Sequence, residues 1–174
     1  MLDNLLNDLV KQYAGNDVIN NPAVPNEKNE SAISSITDGI LGGLTQHAAG
    51  GGLNSIINML TNSGHVDETT SQNVQGSVID SLMGKLGLGK GVASSIAASM
   101  VPSILGALSK HSADKNNTAF DPSSILSSLT GGKTEGMDIM SMVDKGLGNG
   151  DGKLDLNDIT SALGNLGNLF GKKG

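Results

Sequence analysis

Apolar residues return every three or four positions through most of this chain, and that rhythm predicts its elements. Leu2, Leu5, Leu6, Leu9, Val10 and Tyr13 share one face of a first amphipathic helix over residues 2–13, which Gly15 and Asn16 end. Pro22 and Pro25 each push the residue before them out of the α region, so an extended loop follows. Asn26 reads as the N-cap of the second helix, with Glu27 and Glu30 favourable in its first turn. That helix runs to His47 on a stripe of Ile33, Ile36, Ile40, Leu41 and Leu44, and Gly50 to Gly52 make a flexible stop. A short helix over 53–62 comes next. A fourth helix starts at Asp67 or Thr69, with Val74, Val78, Ile79, Leu82, Met83 and Leu86 facing inward.

Gly87 to Gly91 break the pattern, and a fifth helix then runs to His111. Pro102 lies within it, opposite the stripe of Ile96, Met100, Ile104 and Leu108. An interior proline removes a hydrogen bond and crowds the preceding turn, so a bend here would curve the helix around its core. Residues 112–122 form a loop ending in Asp121 and Pro122, an N-cap followed by a proline at the first helical position. Further helices are predicted over 122–130, 136–145 and 156–170. No segment alternates as a strand does. The expected fold is all-α, with about eight helices.

Two of these stretches echo each other. Ser35, Leu41, Gly42, Leu44 and His47 align with Ser99, Leu105, Gly106, Leu108 and His111, and Ile36 and Ile40 with Met100 and Ile104. Downstream, NSIINMLT (54–61) matches SSILSSLT (123–130). The chain therefore reads as a single domain, 1–174, holding a duplicated long-helix and short-helix unit. The first copy spans about 27–64 and the second about 90–133.

Composition narrows the functions. The net charge is −6, from 17 acidic residues against 11 basic ones, and every basic residue is Lys. A chain without Arg lacks the fork that grips phosphate and guanine in pairs of hydrogen bonds, so nucleic acid is not an expected partner. There is no Cys, hence no disulfide and no thiolate chemistry. The N-terminus lacks a basic region followed by an apolar run, and no stretch of about 18 apolar residues stands out. A cytoplasmic protein without a membrane span is the expectation. Twenty-five glycines among many serines point to close helix packing and modest stability, because an interior Gly costs roughly 0.5–1 kcal/mol relative to Ala.

The opening LLNDLVKQYAGNDVINNPAVPNEKNESA, and the stretch LGLGKGVASSIAASMVPSILGAL around Pro102, resemble the bacterial YidB-like family of unknown function. The likeness extends over residues 2–165. The resemblance implies an all-α fold and supplies no activity. It also implies that the chain ends in an EF-hand-like acidic loop, as some members do.

Residues 144–158, DKGLGNGDGKLDLND, carry such a loop. Asn149 and Asp151 stand at its third and fifth positions. Gly152 allows the sharp turn, and Lys153 offers its backbone carbonyl at the seventh. Leu154 is the apolar eighth residue, and Asp155 and Asp158 stand at the ninth and twelfth. Calcium is a hard cation that takes about six to eight oxygens, and this spacing aims them inward. The departure is Leu147 at the first position, which has no side-chain oxygen. If Gly146 to Gly148 bulge outward, Asp144 swings in as first ligand. The same residues also read as a Gly/Asp-rich turn between two helices, with solvated carboxylates.

Other motifs have plainer readings. GKLGLGKG (84–91) imitates a phosphate loop, but Gly91 replaces the hydroxyl that holds magnesium and no strand precedes it. A helix C-cap followed by a new helix start explains it better. His47 and His111, equivalent in the repeat, are expected to meet the last carbonyls of their helices. Met137, Met140 and Met142 read as core filler more than as a partner surface. Gly39 and Gly43, four residues apart, are expected to bring another helix of the same protein close. The functional expectation is a helical binding or interaction protein, modulated by calcium at 144–158, with a protein partner or a second copy of itself. The alternatives are a small-molecule enzyme with a pocket between the repeats near His47 and His111, and a membrane-surface protein.

Overall fold

Six segments hold their apolar residues on one side long enough to form α-helices: α1 (Leu2–Ala14), α2 (Asn29–His47), α3 (Leu53–Thr61), α4 (Glu68–Leu86), α5 (Lys90–Ala113) and α6 (Pro122–Leu129). The computed structural model describes residues 2–114, 116–117 and 120–133, and among these there is no strand. The fold is all-α. The described helices fall in five stretches, not the eight or so expected, with α2 and α3 joined across a kink at Gly51. The glycines after α2 interrupt the helix as expected, because Gly51 leaves the helical region and Gly52 caps the next helix. Ala48–Gly52 open into one wide π-helical turn that delivers the chain straight into α3, with Gly51 at a φ of 94° that favours glycine. The helices expected over 136–145 and 156–170 lie outside the described residues.

Two further starts and stops differ from expectation. Gly15 and Asn16 do not end the chain's helical path, which continues through a second wide turn, Gly15–Ile19. Asn26 opens a single 3₁₀ turn, Asn26–Lys28, and caps nothing with its side chain. The caps that hold are the acidic ones. Asp67 accepts from the Thr70 N–H at the start of α4, and Asp121 from the Ser124 N–H at the start of α6 with Pro122 behind it. Gly87, at a φ of 67°, closes α4 in the left-handed conformation, so GKLGLGKG is a helix end followed by a helix start.

The core is almost wholly aliphatic. Leu6 of α1, Ile36, Ile40 and Leu44 of α2, Leu82 of α4, and Ile96, Met100 and Ile104 of α5 are fully enclosed. Two residues assigned to stripes are instead exposed: Tyr13 at 40% and Met83 at 39%. Met83 stands at the edge of its stripe, whereas Tyr13 lies near the middle of its own but in the last turn of α1. α5 runs through Pro102 without a break, and Pro102 is exposed. By length and composition α5 is also apolar enough to cross a membrane, its best window having a mean hydropathy of 1.6. Half of that window is buried inside the protein.

The longest packing interface joins α2 to α4. Glycine makes it possible. A Cβ on Gly39 would sit 2.6 Å from the Val78 Cα, and one on Gly43 would sit 2.8 Å from the Val74 Cα. Real side chains do not approach backbone so closely, so only glycine lets these two helices touch. α5 packs on α1, α3 and α4. Its buried Ser109 stitches the end of α3: the hydroxyl donates toward the Met59 and Asn62 carbonyls, at 2.5 and 3.0 Å, and accepts from the Gly64 N–H.

Candidate functional site

Close contact between α2 and α4 places the C-terminal end of α2 beside the first turns of α4. Four side chains converge there. Asp67, Thr70 and Asn73 recur every third residue, so they share one side of α4's beginning. His47, the last residue of α2, meets all that side presents. Its Nε2 lies 3.0 Å from the Thr70 hydroxyl and its Nδ1 lies 2.9 Å from the Asn73 amide nitrogen.

The proton positions follow from counting donors. The Thr70 hydroxyl has one proton, and it goes to the Asp67 carboxylate at 2.6 Å. Thr70 can then only accept from His47, which puts the ring proton on Nε2. Nδ1 is left as an acceptor for the Asn73 amide. The imidazole is held in one tautomer from both sides. It is packed as well, because a Cβ on Gly52 would collide with the His47 ring. The wide turn after α2 is wrapped around this ring.

Burial pushes the Asp67 carboxyl up, but its partners outweigh that effect. Hydrogen bonds from the Thr70 side chain and backbone and from Ser55, with a smaller electrostatic contribution from the His47 ring, hold it below the ordinary 3.8. Through its hydrogen bonds the network joins α2 to α4. It has the membership of a catalytic triad and the wrong order for one. Thr70 is completely buried, sits between acid and imidazole, and gives its proton to the acid.

Beside His47 the surface opens into a groove of about 250 Å3, lined by Gly43, Gln46, His47, Gly50, Asn73 and Ser77. A second hollow of about 400 Å3 follows the loop from Ile19 to Asn26.

His47 does not use the end of its own helix, as the sequence led us to expect. Its bonds are to α4, because the turn at Ala48–Gly52 carries the backbone aside and α4 occupies the place. His111 has a separate environment, stacked on Phe120 with ring centroids 5.0 Å apart and 3.3 Å from the Asn117 amide. It does not line the groove at His47, so the two imidazoles share no pocket. Asp144, Asn149, Asp151, Lys153, Asp155 and Asp158 lie outside the described residues, as do Leu147 and the methionines at 137, 140 and 142. Among the described residues no cluster of three or more His, Asp or Glu is arranged to hold a metal. The cluster at His47 went unread in the sequence. The signal was the three-residue recurrence of Asp67, Thr70 and Asn73, three polar residues on one side of a helix start.

No curated protein and no solved structure matches this chain. A family model does, over residues 68–174, which include α4, α5 and α6 and begin one residue after the Asp67 cap. That stretch is more than half of the sequence, and the chain belongs to DUF937, a bacterial protein family of unknown function.

Proposed function

We propose that this protein is a non-enzymatic binding or interaction module, modulated by calcium at residues 144–158. One observation carries the non-enzymatic part. The acid, hydroxyl and imidazole that do meet, Asp67, Thr70 and His47, spend their hydrogen bonds on capping α4 and tying it to α2, and Thr70 is buried with no free hydroxyl proton. The calcium part rests on ligand spacing in the sequence. In this reading Asp144, Asn149, Asp151, Asp155 and Asp158, with the Lys153 carbonyl, surround the ion, and its binding orders the flanking helices into a face for a protein partner or a second copy.

A calcium titration followed by amide NMR, with magnesium as control, tests it. Saturating shifts at 144–158 that vanish in the Asp151→Ala/Asp155→Ala variant are the expected result. Shifts that persist in that variant, or none at about 1 mM calcium, the weak end of the range for such loops, would sink the calcium reading.

We also read the pairs α2–α3 and α5–α6 as two copies of one unit. Ile36 and Met100, Ile40 and Ile104, and Leu44 and Leu108 are buried alike. The Thr61 and Thr130 hydroxyls each return to the carbonyl four residues back, at 2.9 Å in both. Gly42 and Gly106 both stand at open positions, so an alanine at either should have the same effect.

A further inference from the structure

The groove at the end of α2 has hydrogen-bonding groups to spare. The Gln46 amide and the Ser77 hydroxyl make no hydrogen bond among the described residues. Asn73 spends one amide hydrogen on His47 and keeps its carbonyl and its other hydrogen. No Lys, Asp or Glu lines the groove. We propose that it binds a small neutral polyol, a single sugar ring in size, through Gln46, Asn73 and Ser77.

The chemistry selects that class. An ion entering here would lose hydration without meeting an opposite charge in the lining, and an apolar group would strip water from amides and a hydroxyl without replacing its bonds. A ligand hydroxyl both donates and accepts, and Gln and Asn amides offer both functions in a plane. The groove, at about 250 Å3, is smaller than the roughly 300–1,000 Å3 of drug-sized pockets, which limits the ligand to about one small ring. The walls are fixed before any ligand arrives. Gly43 is pinned by the Val74 backbone, and the His47 ring is bonded at both nitrogens. That rigidity lowers the ordering cost of binding. The groove shares no residue with 144–158, so its test and the calcium test fail independently.

The experiment is an amide NMR titration of the full chain with methyl α-glucopyranoside and with myo-inositol. N-methylacetamide and inorganic phosphate serve as comparison probes. Saturable shifts at Gly43, Gly50, Asn73 and Ser77, with a Kd near about 1 mM for at least one polyol, are expected. Gln46→Ala should weaken binding about fivefold, the loss of one hydrogen bond, and Asn73→Ala by more because it also frees the His47 ring, with helical circular dichroism unchanged in both. Both side chains are exposed, so neither change disturbs the core. A linear, non-saturating response to both polyols overturns the proposal. So does tighter binding of N-methylacetamide or phosphate, or wild-type affinity in both variants.

Discussion

The helix pairs α2–α3 and α5–α6 carry matching residues and reach different ends. In the first, α2 passes into α3 through the wide turn Ala48–Gly52, and His47 is clasped between that turn and α4. In the second, α5 stops at Ala113, a loop intervenes, and His111 stacks on Phe120 from that loop. The two histidines occupy aligned positions in the sequence, and their neighbours decide what they do. The neighbours in turn depend on two glycines. Where α2 has Gly39 and Gly43, α5 has Ser103 and Ala107 at the aligned positions. The two glycines let α4 approach the α2 backbone, and at the end of α2 His47 meets α4, whereas His111 meets the loop after α5.

The largest expected effect attacks that difference directly. Gly39→Ala forces a Cβ against the Val78 backbone, and overpacking of this kind should cost about 2–3 kcal/mol in urea denaturation. Gly42→Ala and Gly106→Ala, at open helical positions, should instead each stabilise by about 0.5–1 kcal/mol through helix propensity. Equal destabilisation in all three would mean that the close approach of α2 and α4 is not what glycine is there for.

A smaller effect is expected at the histidine. Thr70→Val keeps the shape, removes the hydroxyl from Asp67, and leaves the His47 Nε2–H without its acceptor. A cost of about 1–2 kcal/mol should appear in thermal unfolding, and the His47 ring signals should move in NMR while those of His111 stay put. Movement at both rings would deny that the two environments are separate.

The smallest is a pH dependence. The folded-state pKa of Asp67 lies below 3.8, so its ionised form is favoured by folding. The stability it contributes is present above that ordinary value and is lost as pH falls through the folded-state value. Asp67→Asn should therefore flatten the fall in stability on acidification below about pH 4. An unchanged acid limb would assign that fall to other carboxylates.

Much of the helix layout was legible along the chain, and the reason is local. A turn's worth of apolar spacing marks a face, and caps such as Asp67, Gly87 and Asp121 act on residues within one turn of themselves. The small-residue spacing of Gly39 and Gly43 correctly announced a close helix partner without naming it. Edges were less legible. Tyr13 and Met83 fit their stripes by angle, but Tyr13 sits in the last turn of α1 and Met83 at the edge of its arc, and only the packed neighbours determine whether such positions are enclosed. The glycines at 50–52 read as a stop and Gly51 does break the helix, but that the turn closes against the His47 ring was not visible along the chain.

The sequence by itself determined an all-α chain, its main helix starts and stops, its buried stripes and its acidic, Arg-free surface, since each of these follows from neighbours in the chain or from composition. The tertiary structure alone decided that His47 leaves its own helix end to join Thr70 and Asn73, that Ser109 closes the end of α3, and that a polar groove opens between α2 and α4. Those outcomes pair residues 23 to 50 positions apart, and one-dimensional spacing carries no information about which distant side chains a helix contact will bring together.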